Sequence, residues 1–129
     1  MTRTSLNLGK NWEQKVPFSL GVVVSGKFLF TAGITARDND GNVVGVNSMR
    51  EQVAQCFANL SEVLDAAGAS WANVVKYTIY TTDIQDYNEH TKDIRTPFFV
   101  DGPAATLIEV RKLIDPKMLV EIEAIVHID

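Results

Sequence analysis

Cysteine occurs once, at position 56, so no disulfide can form within the chain. No apolar stretch approaches the ~20 residues a membrane-crossing helix needs, and residues 1–14 are polar, without the apolar core of a secretory signal. A cytoplasmic location is therefore expected. Basic runs are equally scarce: Arg111-Lys112 is the one adjacent pair of cations, and the formal net charge is −4. Sequence-independent binding to phosphate backbones needs clustered Lys and Arg, so nucleic acid is not an expected partner. His90 and His127 stand far apart, without ligand-like spacing to Cys56 or to acidic residues, so no metal is expected. There is no Ser-His-Asp grouping and no phosphate-binding glycine loop, and no cofactor is expected. Linkers, repeats and low-complexity segments are absent too. At 129 residues, the chain reads as one domain spanning 1–129.

What is present is an alternation of two periodicities. Residues 1–16 read as a polar lead-in. Residues 18–25 and 28–32 read as two strands around the turn Ser25-Gly26-Lys27, which predicts a hairpin. The run Asp38-Asn39-Asp40-Gly41-Asn42 is a dense turn signal, and Val43 and Val44 can return to the sheet. Ser48 stands three residues before Glu51, the spacing of a capping box. Behind it, Val53, Cys56, Phe57, Leu60, Val63, Leu64 and Ala67 make one apolar stripe of a helix, and Gly68 suits the position just past its end.

Residues 74–82, VVKYTIYTT, read as a strand. Asp86 and Glu89 can open a second helix carrying Tyr87, Thr91, Ile94 and Phe98 on one stripe, which Pro97 should bend or end. Strands at 104–110 and 119–128 follow. The order β-β-α-β-α-β-β predicts an α+β fold: a mixed sheet with two helices packed on one face. The last strand places Val120, Ile122, Ala124, Val126 and Ile128 on one side and Leu119, Glu121, Glu123, Ile125 and His127 on the other. The second side is half apolar and half ionisable. Burial in a subunit interface containing a wet cleft reconciles both halves, so an oligomer is expected.

The stretches TAGITARDNDGNVVG at 31–45, NLSEVLDAAGASWANVVKYTIYTTDIQDYNE at 59–89, GPAATLIEV at 102–110 and LVEIEAI at 119–125 together resemble the RidA family, also called YjgF or L-PSP endoribonuclease. The resemblance covers nearly all of residues 18–128. It implies a chorismate-mutase-like fold, a homotrimer with clefts between subunits, and a small-molecule ligand in those clefts. Members of that family hydrolyse reactive enamines and imines to ketoacids and ammonia.

In the deaminating members an Arg of a PAR motif grips the substrate carboxylate through two parallel hydrogen bonds. The matching segment here is Pro103-Ala104-Ala105, so the resemblance puts Ala105 where the guanidinium would be. Leu107 stands at a position often held by Cys, Phe18 at that of a Tyr, and Ala32 at that of a Ser. Gly33 and Glu121 match the family. The resemblance thus implies ligand-lining positions at Phe18, Ala32, Gly33, Ala105, Thr106 and Leu107. Glu121 has two readings: a catalytic one, in which it activates a water that attacks a C=N carbon, and a structural one, in which it accepts from backbone amides and orders the interface. Glu109 and Glu123 read as structural, and Cys56, on the apolar stripe, as core.

Arg111 lies about 20 Å along the strand from Ala105, too far to replace the missing cation; sequence alone does not place Arg37 or Arg95. Losing a charge-assisted partner costs about 2–5 kcal/mol, so the expected substrate differs from the three-carbon 2-aminoacrylate. The alternative is a non-catalytic ligand-binding or regulatory protein. An endoribonuclease, the third reading, fits the acidic balance least.

Overall fold

A computed structural model describes residues 3–128. Its strands are β1 (Thr4–Leu6), β2 (Gly21–Val23), β3 (Lys27–Phe30), β4 (Ile34–Thr35), β5 (Val74–Thr81), β6 (Ala104–Glu109) and β7 (Val120–Ile128). Its α-helices are α1 (Met49–Ala66), α2 (Ile84–His90) and α3 (Lys92–Arg95). The main sheet runs β3-β7-β5-β6, with β4 also on β7. β5 and β6 are parallel and the other pairs antiparallel, so the sheet is mixed.

The helices form as the sequence pattern dictates. Ser48 caps α1 by accepting from Glu51 N at 3.2 Å. Val53, Cys56, Phe57, Leu60 and Leu64 are buried from that helix, against Tyr77, Ile79, Val120, Ile122, Ala124 and Val126 of the sheet. One buried member of α1 interrupts this apolar set. Gln52 donates to Gly45 O and Lys117 O and accepts from Leu119 N, so its amide ties two loops to the helix without an unpaired polar atom.

The second helix begins earlier than its sequence suggests. Asp83 caps α2 by accepting from Asp86 N at 3.0 Å, which makes Asp86 a first-turn residue and not the cap. Thr91 interrupts the helix, its hydroxyl donating to Tyr87 O at 2.6 Å. α3 then ends one residue before Thr96-Pro97-Phe98, a 3₁₀ turn, as expected of Pro97. None of the helices among the described residues is long and apolar enough to cross a membrane.

Two expectations about the N-terminal half are corrected. The lead-in is not featureless: β1 pairs with β2, Thr4 opposite Val23. The predicted hairpin does not form, because β2 is taken by β1 while β3 pairs with β7, Leu29 opposite Val126. Nine-residue β7 presents a longer edge than β2 can, and pairing there turns Leu29 toward the core.

Between β3 and β4 the chain bulges. Residues 31–33 lie opposite only Glu123 and Ala124 of β7, one residue more than regular pairing allows. Thr31 bridges the irregularity: its backbone N donates to Ala124 O, and its hydroxyl accepts from Ala124 N at 2.9 Å.

Candidate functional site

Alternation along β7 sends Val120, Ile122 and Ala124 into the core and turns Glu121 and Glu123 to the face away from the helices. The bulge brings the backbone of Gly33 directly against Glu121. A Cβ at position 33 would overlap the carboxylate, with Cδ at 2.7 Å, so any larger residue there would displace the Glu121 side chain. Half-buried Glu121 makes no hydrogen bond or ion pair among the described residues. It lines a cavity of about 370 Å³ together with Gly33, Thr35, Arg37, Asn59 and Ile114. Asn59 Nδ2 holds this wall to α1 by donating to Thr35 O and Arg37 O at 2.9 and 2.8 Å. The arrangement can present a free carboxylate and a guanidinium to one small molecule.

A second cavity, of about 330 Å³, lies on the helix side of the sheet. Ala105 is in register with Tyr77, itself opposite Ala124, so Ala105 and Leu107 face toward the helices. Phe18 and Phe99 add aromatic walls, while Asn88, Lys92 and Arg95 reach in from α2 and α3. Arg95 is held in place: Nη1 donates to Tyr87 O and to Thr91 Oγ1, and the guanidinium lies 4.7 Å from the centre of the Tyr87 ring. Thr106 borders the cavity and accepts from Lys76 Nζ at 3.2 Å.

The expected site residues therefore divide into two groups. Glu121 and Gly33 meet at one cavity; Phe18, Ala105, Thr106 and Leu107 meet at the other. Exposed Ala32 lies in the bulge and lines neither. Within one chain, Ala105 and Glu121 occupy opposite faces of the sheet, two strands and three residues apart, on the order of 14 Å. The cations that the sequence left unplaced find positions here. Arg37 stands on the Glu121 wall, and Lys15, Lys92 and Arg95 stand around Ala105. Arg111 follows the end of β6 and lines neither cavity.

The sequence named Arg37 and Arg95 without placing them and did not single out Lys15 or Lys92, although Asn88, Lys92 and Arg95 fall at offsets 0, 4 and 7. That polar stripe runs beside the apolar one through Tyr87, Thr91 and Ile94. Arg37 carried no such signal, because its segment is a loop held by contacts with α1.

The remaining candidates are occupied structurally. Glu123 accepts from Tyr80 OH at 2.7 Å, which also pushes the Tyr80 phenol above its usual pKa. Glu109 accepts from Ile84 N at 3.0 Å. Burial raises the Cys56 thiol to about 12, with the Glu121 charge adding to the effect, so the thiol stays protonated. His127 packs against Phe28 with ring centres 5.6 Å apart, and His90 lies 2.9 Å from Asp86. No group of three potential metal ligands occurs among the described residues.

A mixed sheet carrying its helices on one face defines an α+β protein of the Rid fold. The crystal structure of YyfB, a Rid-family protein of unknown function from Yersinia pestis, superposes with a TM-score of 0.87 at 32% identity, covering 99% of this chain and 100% of that one. The profile of the Endoribonuclease L-PSP family matches residues 10–128, and the chain belongs to that family. A RutC family protein of Pyrococcus abyssi is 33% identical, the match covering 86% of each chain. The 2-iminobutanoate/2-iminopropanoate deaminase of Homo sapiens is 32% identical over 84% of this chain and 78% of its own.

Proposed function

We propose that this chain is a hydrolase that deaminates an enamine or imine, acting in the cytoplasm as a homotrimer whose ligands sit in clefts between subunits. Residues 1–129 act as one domain, and neither a cofactor nor nucleic acid takes part. The observation that carries the reading is the unpartnered carboxylate of Glu121, seated over Gly33 at an open cavity. A carboxylate so placed can take a proton from water as the oxygen attacks the C=N carbon. The same carboxyl returns that proton to nitrogen, giving a carbinolamine; the carboxylate then takes the hydroxyl proton and passes it to the amine as the C–N bond breaks, and a carbonyl compound and ammonia leave. The names of the human and rat relatives, both 2-iminobutanoate/2-iminopropanoate deaminases, support this chemistry at 32% and 31% identity.

The two cavities support the assembly. They share no lining residue, and Ala105 and Glu121 lie on the order of 14 Å apart within one chain, whereas a neighbouring copy can bring its Glu121 cavity to this chain's Ala105 cavity. The helix-free sheet face offers surface for such contact: Phe30 is 70% exposed there.

The deciding experiment measures ammonia and 2-oxo acid release from freshly generated imines of aliphatic and aromatic amino acids. Turnover by the wild type that is lost in Glu121→Gln supports the reading. Silence across both classes, with ligand-induced thermal shifts retained, makes the protein a non-catalytic binder. Salt-sensitive cleavage of RNA would favour a ribonuclease.

A further inference from the structure

The Ala105 cavity is an electrostatic exception in this molecule. In a chain of net charge −4, its lining includes three cations, Lys15, Lys92 and Arg95, and no carboxylate. An adjoining hollow of about 220 Å³ is bordered by the same three cations, again without an acid. Positive charge is thus concentrated where residues 15–18 approach α3, and not beside Ala105 on the strand. The opposite walls are apolar: Phe18, Phe99, Ile79 and Leu107, with Ala105 leaving open the volume a long side chain would fill.

We propose that this cavity binds an organic anion with a bulky apolar body, its negative end at Arg95 and Lys92 and its body over Ala105 and Leu107. The ligand class is an aryl or branched 2-imino acid and the corresponding 2-oxo acid. Arg95 is the specificity-determining residue. Its bonds to Tyr87 O and Thr91 Oγ1 fix the guanidinium before a ligand arrives, while Nε has no partner among the described residues. A guanidinium fixed in advance loses little freedom on gripping a carboxylate. Exposed Lys15 and Lys92 add charge that draws anions to the cavity. A three-carbon acid held at Arg95 would leave the apolar walls in water; an aryl group covers them.

The inference rests on the reading of this cavity as the ligand cleft, and calorimetric titration of the full chain separates the two. Phenylpyruvate should bind at least about tenfold more tightly than pyruvate, and raised salt should weaken it. Arg95→Gln should weaken phenylpyruvate binding by about 30-fold or more, while Arg95→Lys retains part of the affinity. If Arg95→Gln fails to fold by circular dichroism, Lys15→Gln with Lys92→Gln carries the test, because both side chains are exposed. Equal affinity for the two acids overturns the proposal, as does unchanged affinity in the folded charge-removing variant. Anion binding as described without imine turnover removes the deaminase reading and leaves this inference standing. Turnover without preference for the aryl acid does the reverse.

Discussion

Gly33 and Glu121 are packed so closely that the carboxylate occupies the space where any other residue would carry a Cβ. Gly33→Ala should therefore push Glu121 out of position and lower imine turnover by about 100-fold, since a displacement near 1 Å is enough for such a loss. Glu121→Gln keeps the shape and removes the base. It should lower turnover by about 10²- to 10⁴-fold with almost no change in melting temperature, because no hydrogen bond within the described residues is lost. Equal turnover in wild type and Glu121→Gln would take the carboxylate out of the chemistry.

Buried Cys56 and Tyr87 yield a prediction about pH. Burial raises both to about 12, and it pushes Tyr77 up as well. A group whose folded pKa exceeds its unfolded value holds its proton more firmly in the native state. Its stabilising contribution is complete below the unfolded pKa and is lost as pH rises toward the folded one. Unfolded thiols ionise near 8.5 and phenols near 10. Denaturant midpoints should consequently fall from about pH 8.5 upward, and Cys56→Ala should delay the onset toward pH 10. Iodoacetamide should label Cys56 only after unfolding.

At the scale of elements, the break at Thr91 decides what the second helix can do. A continuous helix would carry its 88–95 stripe along one line; Thr91 divides it, and Arg95 folds back onto Tyr87. The start of α2 rests on Asp83, so Asp83→Ala should cost about 1 kcal/mol in denaturant unfolding and weaken anion binding through the α2–α3 segment. Ser48→Ala should cost about the same at α1 while leaving anion affinity unchanged. The contrast between two equivalent caps separates a local effect on the cavity from a general loss of stability.

For the whole molecule, the important feature is a sheet with one face under helices and the other bearing Phe28, Phe30, Glu123 and His127. A large aromatic left 70% exposed there, as Phe30 is, suits a contact between copies. For the proposed homotrimer, Phe30→Glu should lower the solution mass from three chains toward one by light scattering, with the far-ultraviolet spectrum retained and the proposed imine turnover lost. An unchanged mass would place the assembly contact elsewhere.

Periodicity alone determined the elements with long, one-sided patterns. The stripe of α1, the burial alternation of β7 and the helix stop at Pro97 all rest on chemical regularities within a few residues of one another. The family resemblance, likewise, lay in contiguous stretches. The tertiary structure decided which strands pair, because β2 and β3 each had two candidate neighbours and only the edge of β7 buries Leu29. It also decided the composition of the two cavities. Arg37 reaches its cavity from a loop held by Asn59 of α1 and Lys15 from the 3₁₀ turn 11–15, and the division of Ala105 from Glu121 follows from strand register, which a single strand's sequence does not contain.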